Sequence, residues 1–393
     1  MSSPAAVQQA TGSVSRNFQI EPVSLTDRKA VRELILFPFK HYKGDPNWVP
    51  PFIGEREDFL NPTKNPFFEH ARVQFFFARR NGELVGTICG CINDNHNAFH
   101  NEKAGSFGFF ECIDDAEIAT ALLKNAEDWV RSQGMNIIRG PMNFSSNDEW
   151  GLLIDGFHEP PVVLMTYNKP YYAGLIEGNG YTKAMDLFAY TADIDERLDN
   201  APPKVYRAAE KAASRRGVRV RKGKISEFEK EARILMEITN RVWSKNWGFV
   251  PITEHEIEHL GKSLKPLIDP DLVLIAETAE GEPIGVSFSL PDFHQALKWS
   301  GGGRMYPFGV LKFLWYRRKI NRFRLALMGV AEEYRSLGLD AIFYVETARI
   351  ASKKGYKRIE GSWILESNTM MNRIIERLGG QRYKTYRIYE KAL

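Results

Sequence analysis

From Val73 to Ile92 (VQFFFARRNGELVGTICGCI) two apolar stretches flank the polar Arg79–Glu83 segment, which predicts two strands joined at Asn81-Gly82, a pair suited to a tight turn. A second hairpin is predicted from Leu272 to Leu290 (LVLIAETAEGEPIGVSFSL). The same elements surround both. A short strand (Phe18 to Val23; Val218 to Lys222) leads to an amphipathic helix, capped in the second case by Ser226 before EFEKEARILMEI. An aromatic, proline-containing loop follows (GDPNWVPP from Gly44; KNWGFVP from Lys245), and then the hairpin. Next come a strand (Phe107 to Cys112; Leu325 to Val330), a helix, a strand, a short helix and a last strand. The order β-α-β-β-β-α-β-α-β, met twice, predicts an α/β protein with two tandem mixed twisted sheets, each flanked by helices.

The repeat is also legible residue by residue. GMNIIRGPMNFSSN (Gly134 to Asn147) matches GYKRIEGSWILESN (Gly355 to Asn368), and Gly180 and Tyr190 match Gly379 and Tyr389. The expected organisation is a disordered tail over 1–16, an N-terminal unit over 17–191, a linker that becomes a helix over 192–217, and a C-terminal unit over 218–393. A length of 393 residues suits two cores rather than one. Each half carries an insert the other lacks, and the inserts point to a division of labour.

Composition narrows the function. A net charge of +4 excludes a nucleic-acid polycation. Three cysteines are too few for a disulfide framework; Cys89 and Cys91 alternate on one strand and read as buried neighbours in a reducing compartment rather than metal ligands. The N-terminus lacks the basic and apolar regions of a signal peptide, and no apolar run reaches the roughly 20 residues of a spanning helix. A cytoplasmic protein is expected, with contact to the inner face of the membrane through an insert.

The two halves differ most after the fourth strand. The second half continues MGVAEEYRSLGLDAIF, placing Arg335, Ser336, Leu337, Gly338, Leu339 and Asp340 between a strand and a helix start. Such a loop can aim backbone N–H groups and the helix dipole at a pyrophosphate, with Gly338 allowing close approach. The first half has Asp114, Asp115 and Glu117 there, three carboxylates that would repel an anion. Only the second half is expected to bind a phosphate-bearing cofactor.

The strand order, the V-x-x-x-x-R-x-x-G string from Val330 to Gly338 and Asn368 ahead of Leu378-Gly379 resemble the GCN5-related N-acyltransferase (GNAT) fold. HYKGDPNWVPP, FFEHA, FGFFECIDD, RGPMNFSSND, GLLIDGF and NWGFVP further resemble the tandem acyltransferase group typified by the bacterial ceramide synthase. The resemblance implies acyl-CoA as co-substrate, with its pyrophosphate on the amides of Arg335 to Leu339 and its pantetheine along the strand ending at Val330. It implies a thioester carbonyl polarised by N–H groups near Gly329 and Val330. Asp340 stands where the family has Gly or Ala, Asn368 counts among the cofactor positions, and the tyrosine that often protonates the leaving thiolate falls at Ile375. The implied reaction is N-acylation of a long-chain amine or sphingoid base by a fatty acyl-CoA, without a metal and without nucleic acid.

The inserts are read for a lipid independently. KWSGGGRMYPFGVLKFLWYRRKINRFR (Lys298 to Arg324) interleaves aromatic and basic residues with no acid, as an interfacial segment would; a core helix or a CoA-phosphate clamp would share the composition. Glu149 to Tyr171 is apolar and fits either a pocket lining or a packed loop.

An amine must lose a proton to attack a thioester. Glu366, at the end of the fifth strand of the second half, is the first choice to accept it; Asp148 and Glu149 hold the matching place in the first half, and Glu332 and Glu333 compete. His294 is a further acid–base candidate, while His96 and His100 read as loop histidines whose spacing has no facial meaning. Two other readings fit the pattern: a tandem transferase that draws on aminoacyl-tRNA, and a lipid- or acyl-CoA-binding protein without turnover.

Overall fold

The computed structural model describes residues 17–194, 203–300, 303 and 308–393; the expected tail over 1–16 and parts of the linker and the basic insert lie outside these. The first half runs β1 (Gln19–Val23), α1 (Arg28–His41), α2 (Ile53–Phe59), β2 (Ala71–Arg80), β3 (Glu83–Asn93), α3 (Asp94–His100), β4 (Ala104–Cys112), α4 (Ala116–Ser132) and β5 (Ile137–Gly140). It continues through the short strands β6 (Met142–Asn143), β7 (Glu149–Trp150) and β8 (Leu152–Asp155) to α5 (Tyr172–Glu177) and β9 (Thr182–Asp193). The second half runs α6 (Pro203–Arg215), β10 (Arg219–Lys222), α7 (Phe228–Trp243), α8 (Glu254–Leu264), β11 (Val273–Glu277), β12 (Pro283–Pro291), α9 (Phe293–Trp299) and α10 (Gly309–Arg317). It ends with β13 (Arg322–Val330), α11 (Leu339–Lys353), β14 (Arg358–Leu365), α12 (Thr369–Arg377) and β15 (Gln381–Ala392).

Both halves share one sheet, in the order β1-β2-β3-β4-β5-β15-β9-β14-β13-β12-β11-β10, with β8 also on β15. The last strands are exchanged. β9 ends the first half yet pairs with β14 of the second, from Arg358 opposite Asp193 to Leu365 opposite Leu187. β15 ends the chain yet pairs with β5, and β9 and β15 pair with each other from Gln381 opposite Thr191 to Glu390 opposite Thr182. Each half is thus completed by a strand of the other, and the halves cannot part without breaking central ladders.

Two parallel pairs, β4 with β5 and β13 with β14, are bridged by the crossover helices α4 and α11, as parallel pairing demands. The apolar stripe of α4 (Ile118, Leu122, Val130) packs on Ile88 and Phe107, and Tyr389 of the exchanged β15 enters that core. α11 packs Leu339, Phe343 and Ile350 on Leu274, Ile284, Phe323 and Val330. Each such side chain contributes about 1.5–3 kcal/mol of burial. Cys89 and Cys91 lie together in the core between β3 and α1, where burial pushes the Cys91 thiol up to about 12.

Two features differ from the sequence reading. β13 begins earlier than expected, so Arg322 and Arg324 leave the basic insert and lie in the interior, Arg322 on Asp292 (2.8 Å). The apolar segment after β8 is a packed loop that crosses to the second half, where C-half side chains satisfy its carbonyls. Arg324 donates to Val163 O and Leu164 O (both 2.9 Å), and the fully buried Lys384 of β15 donates to Gly156 O and to Glu159 O (2.6 Å). Burial lowers the Lys384 ammonium to about 8.

Candidate active site

Each parallel pair opens into a cleft. β4 and β5 pair only over Ala104–Ser106 and Ile137–Arg139; β13 and β14 pair only over Arg322–Leu325 and Arg358–Gly361. A bulge bends each strand away from its partner at the point of divergence. On β13 it leaves Ala326 extra, between the pairs Ser289–Leu325 and Phe288–Leu327; on β4 it falls at Phe109, between the pairs Thr87–Glu111 and Cys89–Gly108.

The first-half cleft is closed by the chain itself. A Cβ on Gly108 would lie 1.7 Å from Met142 O, and one on Gly140 would lie 2.3 Å from Phe107 O. Asn143 Oδ1 accepts from Phe109 N (2.8 Å), and Phe144 stacks between Phe59 and Phe67. In the second half, Gly361 holds the place of Gly140, and a Cβ there meets nothing within 4 Å. Ala326, Leu327, Met328 and Gly329 beside it are partly exposed. That cleft is open.

The helix starts at the two clefts differ in the same sense. Asp115, the N-cap of α4, accepts from Glu117 N (3.0 Å) and Ile118 N (3.2 Å) and pairs with Arg80, so a protein carboxylate already occupies the anion position. The N-cap of α11 is Gly338, at φ 68°, and no side chain caps the helix. Leu337 and Leu339 point into the core, so these two positions offer a ligand their backbone. Ala331 N donates to Ile284 O on β12, so by strand alternation the amide and carbonyl of Val330 face the cleft side; Arg335 Nε donates to Val330 O (3.3 Å). Asp340 lies in the first turn of α11.

No family model matches the chain. Over 386 residues, 96% of this chain and 99% of the relative, it is 39% identical to the "Bacterial ceramide synthase" of Caulobacter vibrioides. It is 36% identical over 401 residues to "Protein YghO" of Escherichia coli, with each chain covered in full. It belongs to the bacterial ceramide synthase family. The fold agrees: a tandem GNAT protein from the clavulanic acid pathway superposes with a TM-score of 0.57 at 11% identity, covering 95% of this chain and 98% of that one. A GCN5-related N-acetyltransferase from Sphaerobacter thermophilus gives 0.51 at 14% identity, with 96% of each chain covered. Two tandem GNAT folds in a ceramide-synthase-family chain make this an enzyme of the N-acyltransferase class.

In this member of the ceramide synthase family, the residues named for proton transfer are not brought to one point. Glu366 accepts from Lys183 Nζ (2.8 Å) and Asp186 N (3.1 Å), engaging both carboxylate oxygens. Asp148 Oδ2 accepts from Ser145 Oγ (2.8 Å) and Ser145 N (3.2 Å), and burial pushes its carboxyl up to about 7. Its neighbour Glu149 pairs with Arg56. His294 Nδ1 lies 3.0 Å from Pro161 O, and burial lowers its imidazole. Glu332 and Glu333 pair at the surface with Lys245 and Arg241. Asn368 caps α12 by accepting from Met371 N (3.2 Å), and Asn147 donates to Val250 O (3.1 Å). His96 and His100 lie on helix α3 and not in a loop, so their spacing does bring the rings together, 4.6 Å apart; His96 meets Glu102 (2.6 Å) and His100 meets Phe249 O (2.7 Å). Among the described residues, no group of three or more His, Cys, Asp or Glu is placed to hold a metal ion.

One cluster was missed from sequence. Glu111 Oε2 accepts from Tyr42 (2.7 Å) and Tyr172 (2.6 Å), and the Tyr172 hydroxyl lies 2.9 Å from His41 Nε2. Burial pushes the Glu111 carboxyl up to about 7 and the His41 imidazole down to about 4. Glu111 lines a cavity of about 50 Å³ with Phe109, Asn143, Glu149, Leu152 and Thr166. The available signal was an acid inside an aromatic strand (FGFFEC), which must find polar partners or bear a large desolvation cost.

Proposed function

We propose that the chain transfers a long-chain fatty acyl group from acyl-CoA to the amine of a sphingoid-type base. The carrying observation is the contrast between an open cleft beside an uncapped helix start in the second half and a plugged cleft beside a carboxylate-capped helix in the first. On this reading the CoA pyrophosphate rests on the backbone of Arg335, Ser336, Leu337, Gly338 and Leu339, with Asp340 at the rim. The pantetheine follows β13, and the amide of Val330, next to Gly329, polarises the thioester carbonyl. The amine nitrogen attacks the carbonyl carbon; the tetrahedral intermediate collapses with loss of the CoA thiolate, and the amine proton passes to a carboxylate. Asp148 suits that role better than Glu366, whose two oxygens are engaged by Lys183 and Asp186, because burial brings its proton affinity near neutrality. The name of the Caulobacter relative supports the sphingoid acceptor.

A lipid substrate needs access to its bilayer, and the α9–α10 hairpin offers it. Phe308 (67% exposed), Leu311 (66%), Leu314 (50%) and Trp315 (61%) share one face of α10, while Phe313 on the other joins the core. Exposed Lys312, Arg317, Arg318 and Lys319 flank that face, matching an anionic headgroup layer. No helix among the described residues is long and apolar enough to cross a membrane.

The test is amide synthesis from acyl-CoAs of graded length with 3-ketosphinganine, sphinganine and short amines in detergent, followed by thiol release and product mass. A long-chain amide that disappears in Arg335→Glu supports the reading; thiol release with short amines alone overturns the lipid acceptor.

A further inference from the structure

Glu111 is a half-buried carboxylate that makes no ion pair of its own among the described residues; Lys169 acts on it only at longer range. Both hydroxyl donors, from Tyr42 and Tyr172, go to Oε2, and among the described residues Oε1 makes no hydrogen bond while the residue lines the cavity. Every cation nearby is committed elsewhere. Lys169 donates to Asp45 (3.2 Å) and lies over the Tyr42 ring, and Arg56 pairs with Glu149. Several of the cavity's other polar groups are engaged: Thr166 Oγ1 donates to Gly151 O (2.8 Å), Asn143 Oδ1 accepts from Phe109, and Asn168 brackets Leu153 through both its N–H and C=O groups. Among the lining atoms that make no hydrogen bond within the described residues are two carboxylate oxygens, Glu111 Oε1 and Glu149 Oε2, beside the Asn143 amide nitrogen. A carboxylate partly withdrawn from water is stabilised by a hydrogen-bond donor, a proton or a cation, and of these a cation leaves it ionised.

The cavity's size and walls restrict what that cation is. About 50 Å³ exceeds the roughly 30 Å³ share of one water molecule in the liquid, enough for one ammonium group. Phe109, Phe110 and Leu152 give the rest of the wall an apolar surface suited to the first carbons of an alkyl chain. Two lining residues, Glu149 and Gly151, flank Trp150, whose ring lies 6.2 Å from Trp363 on the diverging segment of β14. The wall of the first-half cavity thus packs, through Trp150, against the diverging segment of β14.

We propose that this first-half cavity binds the primary ammonium of the long-chain acceptor, with Glu111 Oε1 as its anionic partner and Tyr42 and Tyr172 holding the carboxylate in place. The proposal rests on the acyltransferase reading above and names where its acceptor sits. The first half, unable to take CoA, supplies the amine site.

The experiment is titration of the full chain in detergent with a long-chain primary amine and with the neutral alcohol of the same length, alongside acyl-CoA, for the wild type and Glu111→Gln. The expected result is a preference for the amine of about tenfold or more that E111Q removes, with acyl-CoA affinity unchanged. Should E111Q not fold, Thr166→Leu, which fills the cavity from its wall and leaves the carboxyl intact, is expected to weaken amine binding by the same order. Equal binding of amine and alcohol by the wild type, or a preference that survives E111Q or T166L, overturns the site. Saturation by inorganic ammonium or sodium without discrimination among amines also overturns it. A Glu111-dependent amine preference in a protein that forms no amide would keep the site and discard the transferase reading; amide formation indifferent to Glu111 would do the reverse.

Discussion

Asp115 and Gly338 are the N-cap residues of the equivalent helices α4 and α11, and they leave those helix starts in opposite states. The Asp115 carboxylate accepts two amides of its own helix, while Gly338 brings no side chain to the first turn of α11. One turn is complete without a ligand and the other is not. Arg335→Glu places a negative charge beside the open turn and is expected to weaken acyl-CoA binding by tenfold or more, read by calorimetry. Asp115→Ala is expected to leave acyl-CoA binding unchanged and to lower stability by about 1 kcal/mol through the lost cap, read by denaturant unfolding.

Gly361 and Gly140 form the corresponding contrast on the strands. A Cβ at Gly361 enters open space, so Gly361→Leu should fold with a melting temperature near that of the wild type and lose acyl-CoA binding, because the side chain fills the cleft. Gly140→Ala drives a methyl into Phe107 O and its ring and should cost about 1–3 kcal/mol. Paired thermal melts and ligand titrations separate the two outcomes.

Replacing Leu311, Leu314 and Trp315 by Ser removes the exposed apolar face of α10 without touching Phe313 in the core. Binding to vesicles of anionic phospholipid, measured by co-sedimentation, should fall by tenfold or more, with stability held. Wild-type binding should also weaken as salt screens Lys312, Arg317, Arg318 and Lys319 from the headgroups.

Asp148 makes stability depend on pH. Its carboxyl is raised from 3.8 to about 7 by burial, so the folded state holds the proton more tightly than the unfolded chain. Stability therefore falls as pH rises through that interval, and the full cost stands above it. Asp148→Asn keeps an acceptor for Ser145 and carries no charge. It should gain about 1–3 kcal/mol at pH 8, gain nothing at pH 4, and flatten the slope between, as followed by urea unfolding.

The repeat, the two hairpins and the strand–loop–helix at Arg335 were legible because each rests on local periodicity and turn chemistry. The opposite character of Asp115 and Gly338 was legible too, since a charged or absent side chain at a helix start is a property of position alone. Glu111 was not. Its partners Tyr42 and Tyr172 lie far from it along the chain, and only the packing of α1 and α5 against β4 brings two hydroxyls to one carboxylate oxygen. Arg322 and Arg324 read as surface cations for the same reason. Their burial depends on Asp292 and on carbonyls delivered by the first half's crossing loop.

By itself the sequence determined the element types, the duplication, and which half leaves its helix start without a capping carboxylate, all consequences of side-chain period, glycine placement and charge. Tertiary structure alone decided that β9 and β15 exchange places, that one cleft is plugged and the other open, and that the Glu111 carboxylate lines a cavity with Tyr42 and Tyr172 on one of its oxygens. The physical reason is that a strand's own pattern specifies which face is apolar but not which edge it joins. That choice is made by pairing and packing between residues on opposite halves of the chain.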